Sequence, residues 1–100
     1  MRFVTASGKK IEVERETRTL KFNRVYRGDY FRGKEHDNIV FTDEDNNEWI
    51  YINPCSYEES LTALGKEMSM AKEGTIYKIS GLFLKDEDSF NQIYRPRLLQ

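Results

Sequence analysis

Apolar and polar residues alternate along most of this chain with the two-residue period of a half-buried strand. One central stretch follows a helical spacing instead. In "FVTASGKKIEVE" (3–14) two short extended runs flank a Ser7-Gly8 turn. "ETRTLKFNRVY" (16–26) alternates as a strand with Leu20 and Phe22 on one face. Val25 falls out of that parity, which predicts a bulge near Asn23 or Arg24. Residues 28–35 follow as a loop. "NIVFT" (38–42) is the second strand, with Ile39 and Phe41 inward, and "DEDNNE" (43–48) is a polar turn. "WIYIN" (49–53) returns as a third strand, with Ile50 and Ile52 on the core face and Trp49 and Tyr51 on the other.

The helix comes next. Ser56 and Glu59 form S-x-x-E, the pattern of a capping box, just after Pro54. Leu61, Leu64, Met68 and Ala71 make an apolar stripe; Lys72 suits the C-terminal end of the dipole and Gly74 the position beyond it. Gly65 inside the helix costs about 1 kcal/mol against alanine and allows close packing on a sheet. "TIYKISGLFLK" (75–85) is a long fourth strand bent at Gly81. "DEDS" (86–89) turns the chain, and "FNQIYRPRLL" (90–99) is a fifth strand that Pro96 places at an edge.

The fold class is therefore mainly β with one helix, in the order β-β-β-α-β-β, within a single domain of residues 1–100. Residues 1–17 form an N-terminal extension or hairpin. Over residues 18–99 the element order, the bulged first strand, the glycine in "YKISG" and the closing hairpin resemble an OB-fold, a five-stranded Greek-key barrel. The resemblance is one of architecture and implies binding of single-stranded nucleic acid, although such folds also bind sugars and proteins. The rival architecture is an unclosed α+β meander with the helix on one face.

Composition keeps this reading. With 38% apolar and 13% aromatic residues, the 33% of charged residues does not tip the chain into disorder. The net charge of −1 argues against a polycation, but its distribution is uneven. Residues 1–34 carry a balance of +6, residues 35–60 one of −8, and residues 61–100 one of +1. The acidic block suits a protein partner; in the alternative, folding mixes both blocks into ordinary surface ion pairs. A single cysteine excludes an internal disulfide framework. Without an apolar span or a leader-like N-terminus, these features give the expectation of a cytoplasmic protein that does not enter membranes.

The chemistry begins with "GDYFRGKE" (28–35), which is seven-eighths of a phosphate-binding loop. Glu35 replaces the magnesium-binding Ser or Thr, Asp29 repels phosphate, and a strand follows where the motif needs a helix. The same stretch interleaves Arg24, Arg27, Arg32 and Lys34 with Tyr26, Tyr30 and Phe31. Cations on phosphates and aromatic faces under bases hold single strands without strong sequence preference. Trp49 and Tyr51 would extend that platform, and Arg95 and Arg97 would reach it from the last strand. The alternative packs these aromatics under loops or beneath the N-terminal hairpin.

Other motifs fail on their own terms. Asp43, Asp45 and Asn47 occupy the first calcium-loop positions, but Glu48 and Pro54 stand where glycine and glutamate are required. His36 reads as a surface loop residue, and with Cys55 alone it makes no zinc site. No acid–base or nucleophilic pair can be nominated. The expectation is a non-enzymatic protein without cofactor or metal. It binds single-stranded DNA or RNA; the alternative is a protein-interaction module.

Overall fold

The computed structural model describes residues 1–30, 34–56, 59–60 and 62–99. Among these residues eight strands and one helix run in chain order. They are β1 (Arg2–Val4), β2 (Lys10–Glu12), β3 (Glu16–Tyr30), β4 (Lys34–Thr42), β5 (Glu48–Ser56), β6 (Glu59–Ser60), α1 (Ala63–Met68), β7 (Ile76–Leu84) and β8 (Gln92–Leu99). The expected mainly β class with one helix holds.

Five strands carry the body. β3 pairs antiparallel with both β4 and β7, β4 with β5, and β7 with β8, while β5 meets β8 in parallel at Ile50 and Gln92. Each of the five thus has two neighbours, and β6 adds a two-residue pairing to β5. The bulge expected near Asn23 lies between Phe22 and Arg24. It explains how Leu20, Phe22 and Val25 all reach the core in spite of their broken parity.

The expected bend at Gly81 coincides with a register shift between Ser80 and Leu82. A Cβ there would come within 3.1 Å of the Ile93 side chain and 3.4 Å of the Pro96 backbone. The missing side chain is what lets β8 lie this close. Arg95, with φ of 52°, takes up the irregularity on the partner strand.

Two expectations need correction. Residues 28–30 and 34–35 are strand and not loop, because β3 and β4 stay paired through Gly28–His36, Asp29–Glu35 and Tyr30–Lys34, while 31–33 lie outside the described residues. His36 accordingly lies on a strand, half-buried, rather than in a surface loop. The helix is also shorter than its apolar stripe suggests, at six residues. Ser56 and Glu59 do not cap it; they face each other as a β5–β6 pair. The cap is Thr62, whose hydroxyl accepts from the Gly65 amide at 2.9 Å and donates to Asn53 Oδ1 at 2.5 Å. That second bond ties the helix start to a fully buried residue of β5. Leu64 and Met68 enter the core and Ala71 packs on it from beyond the helix, while Leu61 lies outside the described residues. Gly74, with φ of 89°, serves the turn into β7, where its amide donates to the Phe22 carbonyl at 2.8 Å.

The core joins Leu20, Phe22, Ile39, Phe41, Trp49, Ile79, Phe83 and Ile93 to the two helix residues. β1 and β2 form the expected N-terminal hairpin around Ser7-Gly8, which meets β8 through Phe3 and the turn after β7 through Ser7. Phe83 faces the core, so Leu82 and Leu84 face away from it, yet both are buried. Tyr94, the cross-strand partner of Leu82, meets Phe3 edge-on at 5.3 Å. The hairpin is fastened at its turn by Asp86, which accepts from the Ser7 amide at 2.7 Å and the Ser7 hydroxyl at 2.9 Å. Burial opposes ionisation of that carboxyl. Its hydrogen bonds from Ser7, Thr5 and the Asp88 amide outweigh this and hold it well below the usual carboxylate range. Lys9 pairs with Asp88 nearby at 2.5 Å.

Candidate nucleic-acid interface

The register of the β3–β4–β5 sheet decides which side chains can meet a ligand. Phe41 pairs with Phe22 on one side and Trp49 on the other, and Ile39 with Val25 and Tyr51. All of these belong to the core or pack against it. The next positions must then point away from that core: Arg24, Val40 and Ile50 in one row, Tyr26, Asn38 and Ile52 in the next, and Glu48 beside Thr42; of these, the two β4 residues Val40 and Asn38 are buried.

This reverses the expected faces of β5. Trp49 and Tyr51 are inward, and Ile50 and Ile52 are outward. Trp49 is 2% exposed, packs edge-on against Phe83 at 5.4 Å, and donates its indole N–H to Asp43 at 3.0 Å. The Arg18 guanidinium lies 4.6 Å from the Trp49 ring centre and 4.7 Å from that of Phe83. Trp49 therefore has no face left for a base. Tyr51 is half-buried against the core; burial pushes its phenol pKa up, against a hydrogen bond with Thr62.

Asp43 braces the 43–47 turn. It accepts from the amides of Asp45 and Asn47, each at 2.9 Å, and from the Asn47 side chain at 3.2 Å. Burial works against its charge, but these bonds and that from Trp49 prevail and lower its pKa. Among the described residues no group of His, Cys, Asp and Glu could hold a metal ion. A depression of about 290 Å³ beside this turn, lined by Lys21, Asp43, Glu44 and Ile76 among others, meets the outward positions only at Thr42.

Of the eleven residues expected at the site, the outward rows of this sheet collect Arg24 and Tyr26. Tyr26 is 44% exposed, with the Arg24 guanidinium 5.6 Å from its ring centre. Arg24 also pairs with Glu48 at 3.2 Å, across the outer row. Arg27 shares the inward parity with its cross-strand neighbour Asp37, which it pairs at 2.7 Å. This is the mixing of basic and acidic blocks into ion pairs that the charge distribution allowed. Arg95 and Arg97 are exposed on β8, and Arg95 lies 5.2 Å from the Tyr94 ring centre. The Arg95 carbonyl accepts from Arg15 at 2.9 Å. Tyr30 and Lys34 close the paired part of the β3–β4 hairpin, and Phe31 and Arg32 lie outside the described residues.

The structure adds four outward residues that sequence reasoning missed. Ile50 and Ile52 are half-buried and form an apolar strip. Tyr94 is 37% exposed, and the Ile50–Gln92 pairing brings the start of its strand beside β5. Asn38 is buried, and its Oδ1 has no hydrogen-bond partner among the described residues. The pairing of Phe41 with Trp49 is the signal for Ile50 and Ile52, and the inward Ile39 and Phe41 already turned Asn38 outward.

No family model matches this chain, nor does any curated protein or solved structure. Among the described residues no helix is long and apolar enough to cross a membrane.

Proposed function

We propose that this chain is an OB-type barrel that binds single-stranded nucleic acid across the outer face of β3, β4 and β5 and the start of β8. The pairing order supports the architecture: it runs from β3 to β4, β5, β8, β7 and back to β3, with the helix between the third and fourth strands of that set. The observation that carries the function is the pair of exposed tyrosines, each beside an arginine: Tyr26 with Arg24 and Tyr94 with Arg95. Between them in the sheet lies the apolar strip of Ile50 and Ile52. Tyrosine faces stack on any base, and arginines reach the phosphates between them.

The salt dependence should be shallow. Arg24 and Arg27 already have carboxylate partners, so few condensed counterions are released on binding. The test is fluorescence anisotropy with end-labelled single-stranded DNA and RNA across a salt series. Saturable binding, weaker for duplex, is expected. No binding by about 50 µM protein in low salt would defeat the proposal.

One observation favours a second reading, a protein-interaction face. The Arg24–Glu48 ion pair leaves beside it an apolar strip of Ile50 and Ile52, which suits an apolar peptide as well as bases. Under that reading Tyr26 and Ile52 variants leave nucleic-acid titrations flat.

A further inference from the structure

Asn38 stands out on the outer face. It lies between Tyr26 on β3 and Ile52 on β5 as their direct cross-strand neighbour. Only 5% of it is exposed, and its Oδ1 is buried without a hydrogen-bond donor among the described residues. A buried amide oxygen in this state is costly, and nearly all such groups in folded proteins find a partner. A valine or leucine would suit this strand position better on packing grounds alone. The position is also flanked by the most exposed aromatic residue of the outer sheet.

We infer that Asn38 is the base-reading residue of this face: its Oδ1 accepts a hydrogen bond from a ring or exocyclic N–H of one nucleobase in a bound single strand. The inference rests on the proposed function. Tyr26, with nearly half of its surface in solvent, turns aside and stacks on the base whose edge reaches Asn38. Every nucleobase carries at least one N–H, so this contact demands a base without choosing strongly among the four. That agrees with weak sequence preference and still rejects a base whose donor is blocked.

Thymine makes the test clean because N3–H is its only donor. Two oligothymidylates of about 15 nucleotides are compared by anisotropy, one normal and one N3-methylated throughout. The natural chain is expected to bind the normal strand about tenfold more tightly, as fits leaving a buried acceptor unpaired. Asn38→Leu is expected to reduce the ratio to within about twofold and to leave the urea midpoint unchanged or raised, since it removes an unsatisfied group. Asn38→Val, a shorter side chain suited to a strand, carries the same expectation should leucine not fit. A natural chain that binds both oligonucleotides equally, or variants that keep its full discrimination, would overturn the inference and leave the proposed function standing. A natural chain that binds neither would remove the proposed function, and this inference with it.

Discussion

Two arginine–aromatic contacts on the same body behave differently. Arg18 sits within 5 Å of both the Trp49 and Phe83 ring centres, is held by Glu16 at 2.7 Å, and faces rings that are almost wholly buried. Arg24 sits 5.6 Å from a Tyr26 ring that is 44% exposed. The chemistry of the partners is alike. Strand parity separates them, because Arg18 pairs with Ile79 on the inward side while Arg24 lies beyond the bulge on the outward side. The first contact closes the core, and the second leaves an aromatic face in water. A cation beside an aromatic ring in the sequence is therefore a binding element only where the register turns it out.

Substitutions should split the two contacts. The largest effect is expected from Trp49→Ala, which leaves a cavity beside Phe83 and removes one of the hydrogen bonds to the Asp43 carboxylate. It should cost about 3–5 kcal/mol of stability in urea unfolding. A loss below about 1 kcal/mol would mean that Trp49 is not a core residue. Tyr26→Ala should do the opposite. Its unfolding midpoint should barely move, while single-strand affinity falls by about 1–3 kcal/mol, roughly 5- to 150-fold.

Tyr94 stands between the two cases, since Phe3 covers one edge of it and the hairpin depends on Asp86. The Asp86 pKa is depressed in the fold. The stability it contributes is thus full above the ordinary value of 3.8 and is lost as pH falls below that toward the folded value. Thermal melts should show stability falling below about pH 4. Asp86→Asn should lower stability at neutral pH and flatten that acid limb. An unchanged limb would place the acid sensitivity elsewhere, with Asp43 the next candidate.

The smallest effect is expected from Glu48→Gln. Releasing Arg24 from a half-exposed ion pair should strengthen binding by less than about 1 kcal/mol and steepen the salt dependence by about one counterion. A weakening would show that Glu48 positions Arg24 instead of competing for it.

Much of the scaffold was legible in the chain. The Ser7-Gly8 turn, the bulge at Asn23 and the bend at Gly81 each had a local cause. Alternation marked the strands, though it stopped short in β4 and β5 because His36 and Pro54 look like loop residues. The helix misled because Ser56 and Glu59 match a local capping pattern, while Thr62 wins by bonding Asn53, a partner on another element. The outer face was read upside down for a simple reason. In "WIYIN" the first four residues are apolar or aromatic, so a period of two gives no preference for either side. Only the pairing of Trp49 with Phe41 across the hairpin breaks the tie, and that is tertiary information.

The parallel meeting of Ile50 with Gln92 also has a consequence for how the chain gets made. β3, β4 and β5 follow one another closely in the chain and can pair soon after synthesis, but β5 waits for a neighbour made about 40 residues later. Pairings this distant in sequence delay folding, because loop closure must precede their reward. Until β8 arrives, one side of β5 offers unpaired backbone next to an apolar strip. A chain stalled near residue 90 is thus expected to be the species most in need of a chaperone. Truncation there should yield an aggregating product and not a smaller folded one.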